Sequence, residues 1–316
     1  LSWESGQLAV VIIRVGSSVT EVKTEEKKVG LLGATSLVGQ CLLPLLKQSG
    51  WQIKAFSRRP PETACPSTEW IQLKQPVCQN DFIDDPTEKI THWICVASIW
   101  VFPDYFHILE RYGAKRVIAV SSTSRFTKSD SADAEEKMTA QKLSESENRL
   151  ETWAQTKGID WIILRPTLIY GLGRDKNISE LIRLIRRIGF FPLAGQAKGL
   201  RQPIHAEDLA AACLSALEKV GPTQHAYDLS GGETITYREM INRLFAALGR
   251  NPHIINIPLW FFKIAVILIH LFPRYRHWTA QMAERMNTDM IFDHADAIRD
   301  LNFSPRAFQI TVKDLP

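Results

Sequence analysis

Gly33, Ser36 and Gly39, in the segment GLLGATSLVGQ, have the spacing of a phosphate loop. A backbone that turns sharply and lets a pyrophosphate approach needs small residues at these places. The amides opening the following helix then hold the anion. Serine in the middle place is small enough, and it can donate to a phosphate or cap the helix. Further on, AFSRRPP sets Ser57, Arg58 and Arg59 where a second strand ends. An acidic residue at this place would hold a ribose 2′-hydroxyl, whereas guanidinium forks suit a 2′-phosphate. The pattern predicts a dinucleotide, NADP in preference to NAD, with NAD left open. A bulky residue at Gly33 is expected to abolish dinucleotide binding and leave the fold largely intact.

A second constellation is VIAVSSTSRFTKSD at 117–130. Val117–Ser121 reads as a buried strand, and a run of hydroxyls and cations follows it. Between Tyr112 and Tyr170 the chain has no tyrosine at all. Any chemistry on these hydroxyls that requires a phenol from the next helix is therefore short of one.

Such groups must be held by a framework, and the pattern around them supplies it. KVGLLG reads as a strand, SLVGQCLLPLLKQSG as a helix, and WQIKAFS, WIQL, HWICVAS, KRVIAVSS and DWIILRP as further strands. DYFHILERYG and the stretch 135–157 read as helices, the latter with Leu143, Glu147, Leu150 and Ala154 at helical spacing. Short apolar strands alternating with helices predict a parallel sheet covered on both faces. The first βαβ unit is right-handed by rule. After Pro166 the alternation loosens. Helices at 178–189, 207–219 and 236–249 predict a smaller C-terminal lobe over the sheet edge. The expected boundaries are an extension at 1–27, a dinucleotide domain at 28–170 with contributions up to about 230, and an interleaved lobe at 171–316.

Length and composition agree. A chain of 316 residues with 45% apolar content buries a full core. A net charge of +4 is too small to argue for nucleic acid. Five scattered cysteines, odd in number and without a CxxC, make neither a disulfide framework nor a zinc site, so a reducing, cytoplasmic setting is expected and no metal is assigned. LAVVIIRV at 8–15 lacks the basic flank and cleavage site of a signal peptide.

Assembled, these segments resemble the extended short-chain dehydrogenase/reductase superfamily, the NAD(P)-dependent epimerase/dehydratase group. The likeness runs from Lys28 to about Phe308. GATSLVG is similar to its GATGxxG loop and VIAVSST to its fifth strand. WIILRPTLIYGLGR is similar to its LRPxxVYGPG segment, RQPIHAEDLAAA to RxxIHVDDLAxA, and YDLSGGETITYREM to YNLGGGExLTYxEM. The resemblance implies an α/β fold, a Rossmann-type doubly wound parallel sheet with a smaller C-terminal substrate lobe. It also implies roles. Gly33, Thr35, Ser36, Leu37, Val38 and Gly39 would line the pyrophosphate, with Ala97, Ser98 and Ser121 near the rest of the cofactor. Ser122 and Thr123 would hold a substrate hydroxyl or carbonyl. Pro166 and Leu168 would back the nicotinamide. Arg201 would meet a substrate phosphate, or else pair with Glu207 or Asp208. Asp208 itself reads as a capping or bracing residue.

The family's YxxxK is where the chain departs. There a lysine lowers the tyrosine pKa so that the phenol shuttles a proton. The window here is AEEKMTAQKLSESENRL. If Lys142 takes the lysine place, Met138 stands for the tyrosine. If the helix is registered on Glu147, Thr139 and Leu143 take the two places. The substitutes are Lys142 bridging the nicotinamide ribose, Glu145 or Glu147 as base, Thr123 with a water, or Tyr170, which otherwise serves as a wall of the substrate site.

Residues 259–272, LWFFKIAVILIHLF, are too short to span a bilayer. They read as a buried helix, an interfacial helix touching membrane, or a homodimer interface. The leading reading is an NADP-dependent enzyme acting on a nucleotide-sugar or related carbonyl. The alternatives are a cofactor-binding sensor or assembly protein without turnover, and a membrane-associated reductase of a lipid-linked substrate.

Overall fold

The computed structural model describes residues 27–60, 68–73, 88–258, 261 and 280–316. The extension, save Lys27, and the apolar stretch at 259–272, save Phe261, lie outside the described residues. So does any membrane or dimer contact through that stretch.

Seven parallel strands form the central sheet. In chain order they begin with β1 (Lys28–Leu32), β2 (Gln52–Ser57), β3 (Thr68–Gln72), β4 (His92–Cys95), β5 (Arg116–Val120) and β6 (Asp160–Pro166). Small strands follow: β7 (Ile169–Tyr170), β8 (Phe191–Ala194), β9 (Leu200–Arg201) and β10 (Ile204–His205). Then β11 (Gln224–Leu229) returns to the sheet, before β12 (Ile235–Thr236) and β13 (Ile254–Ile257). The spatial order is β11-β6-β5-β4-β1-β2-β3. The order reverses between β1 and β4, and the crevice at their carboxyl ends is where such sheets bind ligands.

Among the described residues the helices are α1 (Leu37–Gln48), α2 (Phe106–Arg111), α3 (Ser124–Thr127), α4 (Ala134–Lys157), α5 (Ile178–Ile188) and α6 (Ala206–Glu218). The last three are α7 (Tyr237–Ala247), α8 (Ala280–Arg285) and α9 (Ala295–Leu301). On one face of the sheet α1 and α6 pack around Val29, Leu31, Leu42, Leu46, Leu209 and Cys213. On the other, α2 and α4 enclose Leu32, Trp93, Tyr112, Leu143 and Leu150. The inner strands β1, β4, β5 and β6 are thus buried on both sides, which is why they read as continuous apolar runs. A third core around Ile182, Ile185, Phe191, Met240 and Phe245 belongs to the C-terminal lobe. The chain does not pass into that lobe once and stay. The segment α6–β11 goes back to the sheet, β11 pairing in parallel with β6, and the chain then re-enters the lobe.

Candidate functional site

The loop after β1 is built as its residues require. Gly33 has φ +85, and a Cβ there would stand 2.5 Å from the Ala97 backbone nitrogen. A Cβ on Gly39 would meet the Gly33 carbonyl oxygen at 2.4 Å. Loop and sheet are therefore in contact before any ligand arrives. A bulky residue at Gly33 strains the fold itself, which corrects the expectation of an intact fold. Ser36 caps α1, its hydroxyl accepting from the Gly39 amide at 3.1 Å. Leu37 and Val38 turn their side chains toward the core. What they offer the crevice is first-turn amides, which have no intrahelical acceptor.

Gly33, Thr35, Ser36, Ser57, Arg58, Arg59, Ala97 and Ser98 all line one cleft of about 830 Å³ at the β1/β4 crossover. The Ser57 hydroxyl sits 3.4 Å from that of Thr35 and accepts from the Arg59 amide at 3.2 Å. Arg58 and Arg59 are exposed at the cleft rim. Asp104 and Tyr105 line the same cleft and were not singled out in the sequence. They follow β4 in a 3-10 turn, which leaves no periodic signal.

A second cavity of about 380 Å³ lies beyond the ends of β5 and β6, lined by Ser121, Ser122, Thr123, Pro166, Leu168 and Arg201 among others. Its hydroxyls are unequally committed. Ser121 donates to Glu147 at 2.5 Å, and Thr123 donates to the Pro166 carbonyl at 3.1 Å. Ser122 only accepts, from the Ser124 amide at 3.1 Å. Among the described residues, Ser122 is thus the strand-five hydroxyl with its O–H still available.

Arg201 is 5% exposed and donates to the carbonyls of Leu200 and Thr288, at 2.7 Å each, and of Arg285. It does not pair with Glu207 or Asp208, because Arg306 takes both, at 2.9 and 2.8 Å. Among the described residues no carboxylate lies in ion-pair range of Arg201. Burial lowers its pKa to about 10. Asp208 braces the Arg306 segment and does not cap α6, a task that falls to the His205 ring.

Helix α4 carries the remaining candidates. Glu147 is fully buried on its inner face and accepts from Arg165 at 2.7 and 3.0 Å, and from Arg125 and Ser121. Leu143 is buried in the sheet-side core, while Lys142 is exposed and Met138 is 50% exposed. Glu147 faces the sheet, and Leu143 and Thr139 lie one and two turns before it on the same helix. Lys142 lines neither cleft, and the expectation that it bridges the nicotinamide ribose is not met. A tyrosine placed at Met138 would face solvent. Glu145 lies on the outer surface beside Gln141. Tyr170 is buried against His205 and Phe308, with its hydroxyl at the Gln309 backbone, and burial pushes its pKa up to about 12. It packs the lobe core and lines neither cleft, which corrects its placement in the substrate site.

Comparison with known proteins adds to this geometry. The family model NAD dependent epimerase/dehydratase matches residues 104–230. A 2-alkyl-3-oxoalkanoate reductase of Stenotrophomonas maltophilia is 25% identical over 322 residues, covering 88% of this chain and 95% of that protein. NADH dehydrogenase [ubiquinone] 1 alpha subcomplex subunit 9 of Dictyostelium discoideum is 28% identical over 151 residues, 46% of this chain and 42% of that protein. The chain thus spans about two fifths of the length of two of the curated relatives it matches. In fold, it is similar to UDP-glucuronic acid 4-epimerase from Bacillus cereus, solved with UDP-glucuronic acid and NAD. The TM-score is 0.68 at 14% identity, covering 91% of this chain and 96% of that one. The stretch that the family model matches, residues 104–230, carries β5, β6 and β11 of the seven-stranded parallel sheet, and over it the chain is similar to the NAD dependent epimerase/dehydratase family.

Proposed function

We propose that the protein binds NADP(H) in the crossover cleft and a phosphate-bearing ligand of the nucleotide-sugar type in the adjoining cavity. The observation that carries this reading is Arg201. A buried guanidinium without a carboxylate costs several kcal/mol unless something compensates it, and this one faces a cavity. An anionic ligand supplies the missing charge. Three of its five N–H donors are spent on backbone carbonyls, leaving two for a ligand. The residues fit the dinucleotide too: Gly33, Thr35 and Ser36 line the cleft at the start of α1, and Arg58 and Arg59 line it at the end of β2, where they would meet a 2′-phosphate.

When bound, the nicotinamide gives or takes a hydride. Ser122 supplies the O–H that holds a ligand oxygen, Thr123 accepts through its lone pairs, and Pro166 and Leu168 exclude water from that end. No tyrosine–lysine acid accompanies them on α4. Loss of one general acid costs about 10²–10⁴-fold, so turnover is expected to be slow.

Calorimetric titration with NADPH and then with UDP tests the binding. Saturable binding of both is expected, and failure of NADPH to bind would remove the reading. Absorbance of the reduced cofactor, followed after adding UDP-glucose and NADP⁺, reports turnover. A second reading, cofactor held without turnover, is favoured by Leu143 and the solvent-facing Lys142. A flat absorbance trace with both ligands bound would select it.

A further inference from the structure

The search for an acid-capable group in the second cavity ends on the C-terminal lobe. Among the described residues lining it, Tyr237 is the one with a titratable O–H. It opens α7, and its amide is pinned to the Gly199 carbonyl at 2.8 Å, so the ring position is set by backbone. The Arg201 guanidinium lies 5.4 Å from the ring centroid. Arg285 lines the same cavity, one of its donors committed to Glu136. Burial raises the Tyr237 pKa to about 12, with Arg201 and Arg285 pulling the other way. The group is therefore an O–H donor at neutral pH. A half-buried phenol usually finds a partner for its hydroxyl, yet this one donates to no acceptor among the described residues.

We propose that Tyr237 is a ligand-contacting residue of this cavity, its phenol O–H donating to an oxygen of the phosphate-bearing ligand whose charge Arg201 compensates. The inference rests on the anionic-ligand reading above and adds the residue that contributes to its specificity. Arg201 and Arg285 supply charge, which any anion satisfies. The phenol supplies a directed donor from the lobe side. With no acceptor for it among the described residues, the O–H contributes little to the described fold. That sets a ligand contact apart from a structural tyrosine.

Calorimetry on the full chain with UDP and with inorganic pyrophosphate, for wild type and Tyr237→Phe, tests this. The phenylalanine variant is expected to bind UDP about tenfold more weakly, the size of one hydrogen bond to a charged acceptor. Its NADPH affinity and melting temperature should match wild type. The tyrosine absorption shift that UDP induces in wild type should disappear. Equal UDP affinity in the two proteins would overturn the role of Tyr237 and leave the cavity reading standing. A wild type that binds NADPH but neither UDP nor pyrophosphate would overturn the cavity reading, and this inference with it. A variant that melts several degrees lower would show the hydroxyl to be structural, against the proposal.

Discussion

Arg58 and Arg59 follow the end of β2, the Arg59 amide donating to the Ser57 hydroxyl, and both are exposed residues lining the cleft. A guanidinium in this position gains most from a doubly charged oxyanion and little from a hydroxyl. The double alanine variant is expected to lose about tenfold or more in NADPH affinity, from ~1.5–3 kcal/mol per charged contact discounted for exposure. NADH affinity should hardly move. Parallel titrations of the two cofactors check this, and equal losses would show that the arginines serve another purpose.

Among the elements, α4 has a polar outer face and a narrow buried stripe of Ala140, Leu143, Ser146, Glu147, Leu150 and Ala154. One carboxylate in that stripe joins the helix to β5 through Ser121, to β6 through Arg165 and to the α3 turn through Arg125. Phe126 lies under both cations, 5.5 Å from Arg125 and 5.3 Å from Arg165. Removing one partner of a buried ion cluster strands the others, at about 3–5 kcal/mol. Glu147→Gln is therefore expected to lower the thermal midpoint markedly, and calorimetry of the melt measures it. Glu145→Gln, on the exposed face, should leave the midpoint within about a degree of wild type. Glu147 is thus a positioning residue for Ser121 and not a base in the cavity.

At the scale of the whole molecule, the C-terminal segment closes the structure through Asp314. This carboxylate is 3% exposed and accepts from the Leu172 amide at 3.0 Å, the Thr311 amide and hydroxyl at 2.9 and 2.7 Å, and His205 at 3.0 Å. Burial alone would raise its pKa. The hydrogen bonds from Thr311, His205 and Leu172 outweigh that and hold it below the ordinary value of 3.8. With the folded pKa below the unfolded one, the native state binds fewer protons. The stabilisation is complete above 3.8 and is lost as pH falls through the lower, folded value. Asp314→Asn should destabilise at neutral pH by roughly 2–4 kcal/mol. It should also weaken the acid dependence of the melt below about pH 4. Thermal melts of both proteins across pH 2.5–7, roughly the range of carboxylate titration, test it, and parallel pH profiles would exclude Asp314.

The sheet and the residues lining the crossover cleft were legible in the sequence because local physics writes them. Continuous apolar runs, the spacing of Gly33, Ser36 and Gly39, and the arginines closing β2 each follow from turn chemistry or double-sided burial within a few residues. The phase of α4 was not legible. Met138/Lys142 and Thr139/Leu143 are adjacent registers on one helix, and only packing against β5 and β6 buries Glu147 while leaving Lys142 in water. Tyr170 and Tyr237 are likewise both lobe tyrosines. The chain alone could not say that one packs against His205 while the other faces the cavity beside Arg201. Arg201, finally, was left between a ligand and an ion pair with Glu207 or Asp208. The ion pair was excluded only by tertiary structure, because Arg306, 98 residues beyond Asp208 in the chain, holds both carboxylates.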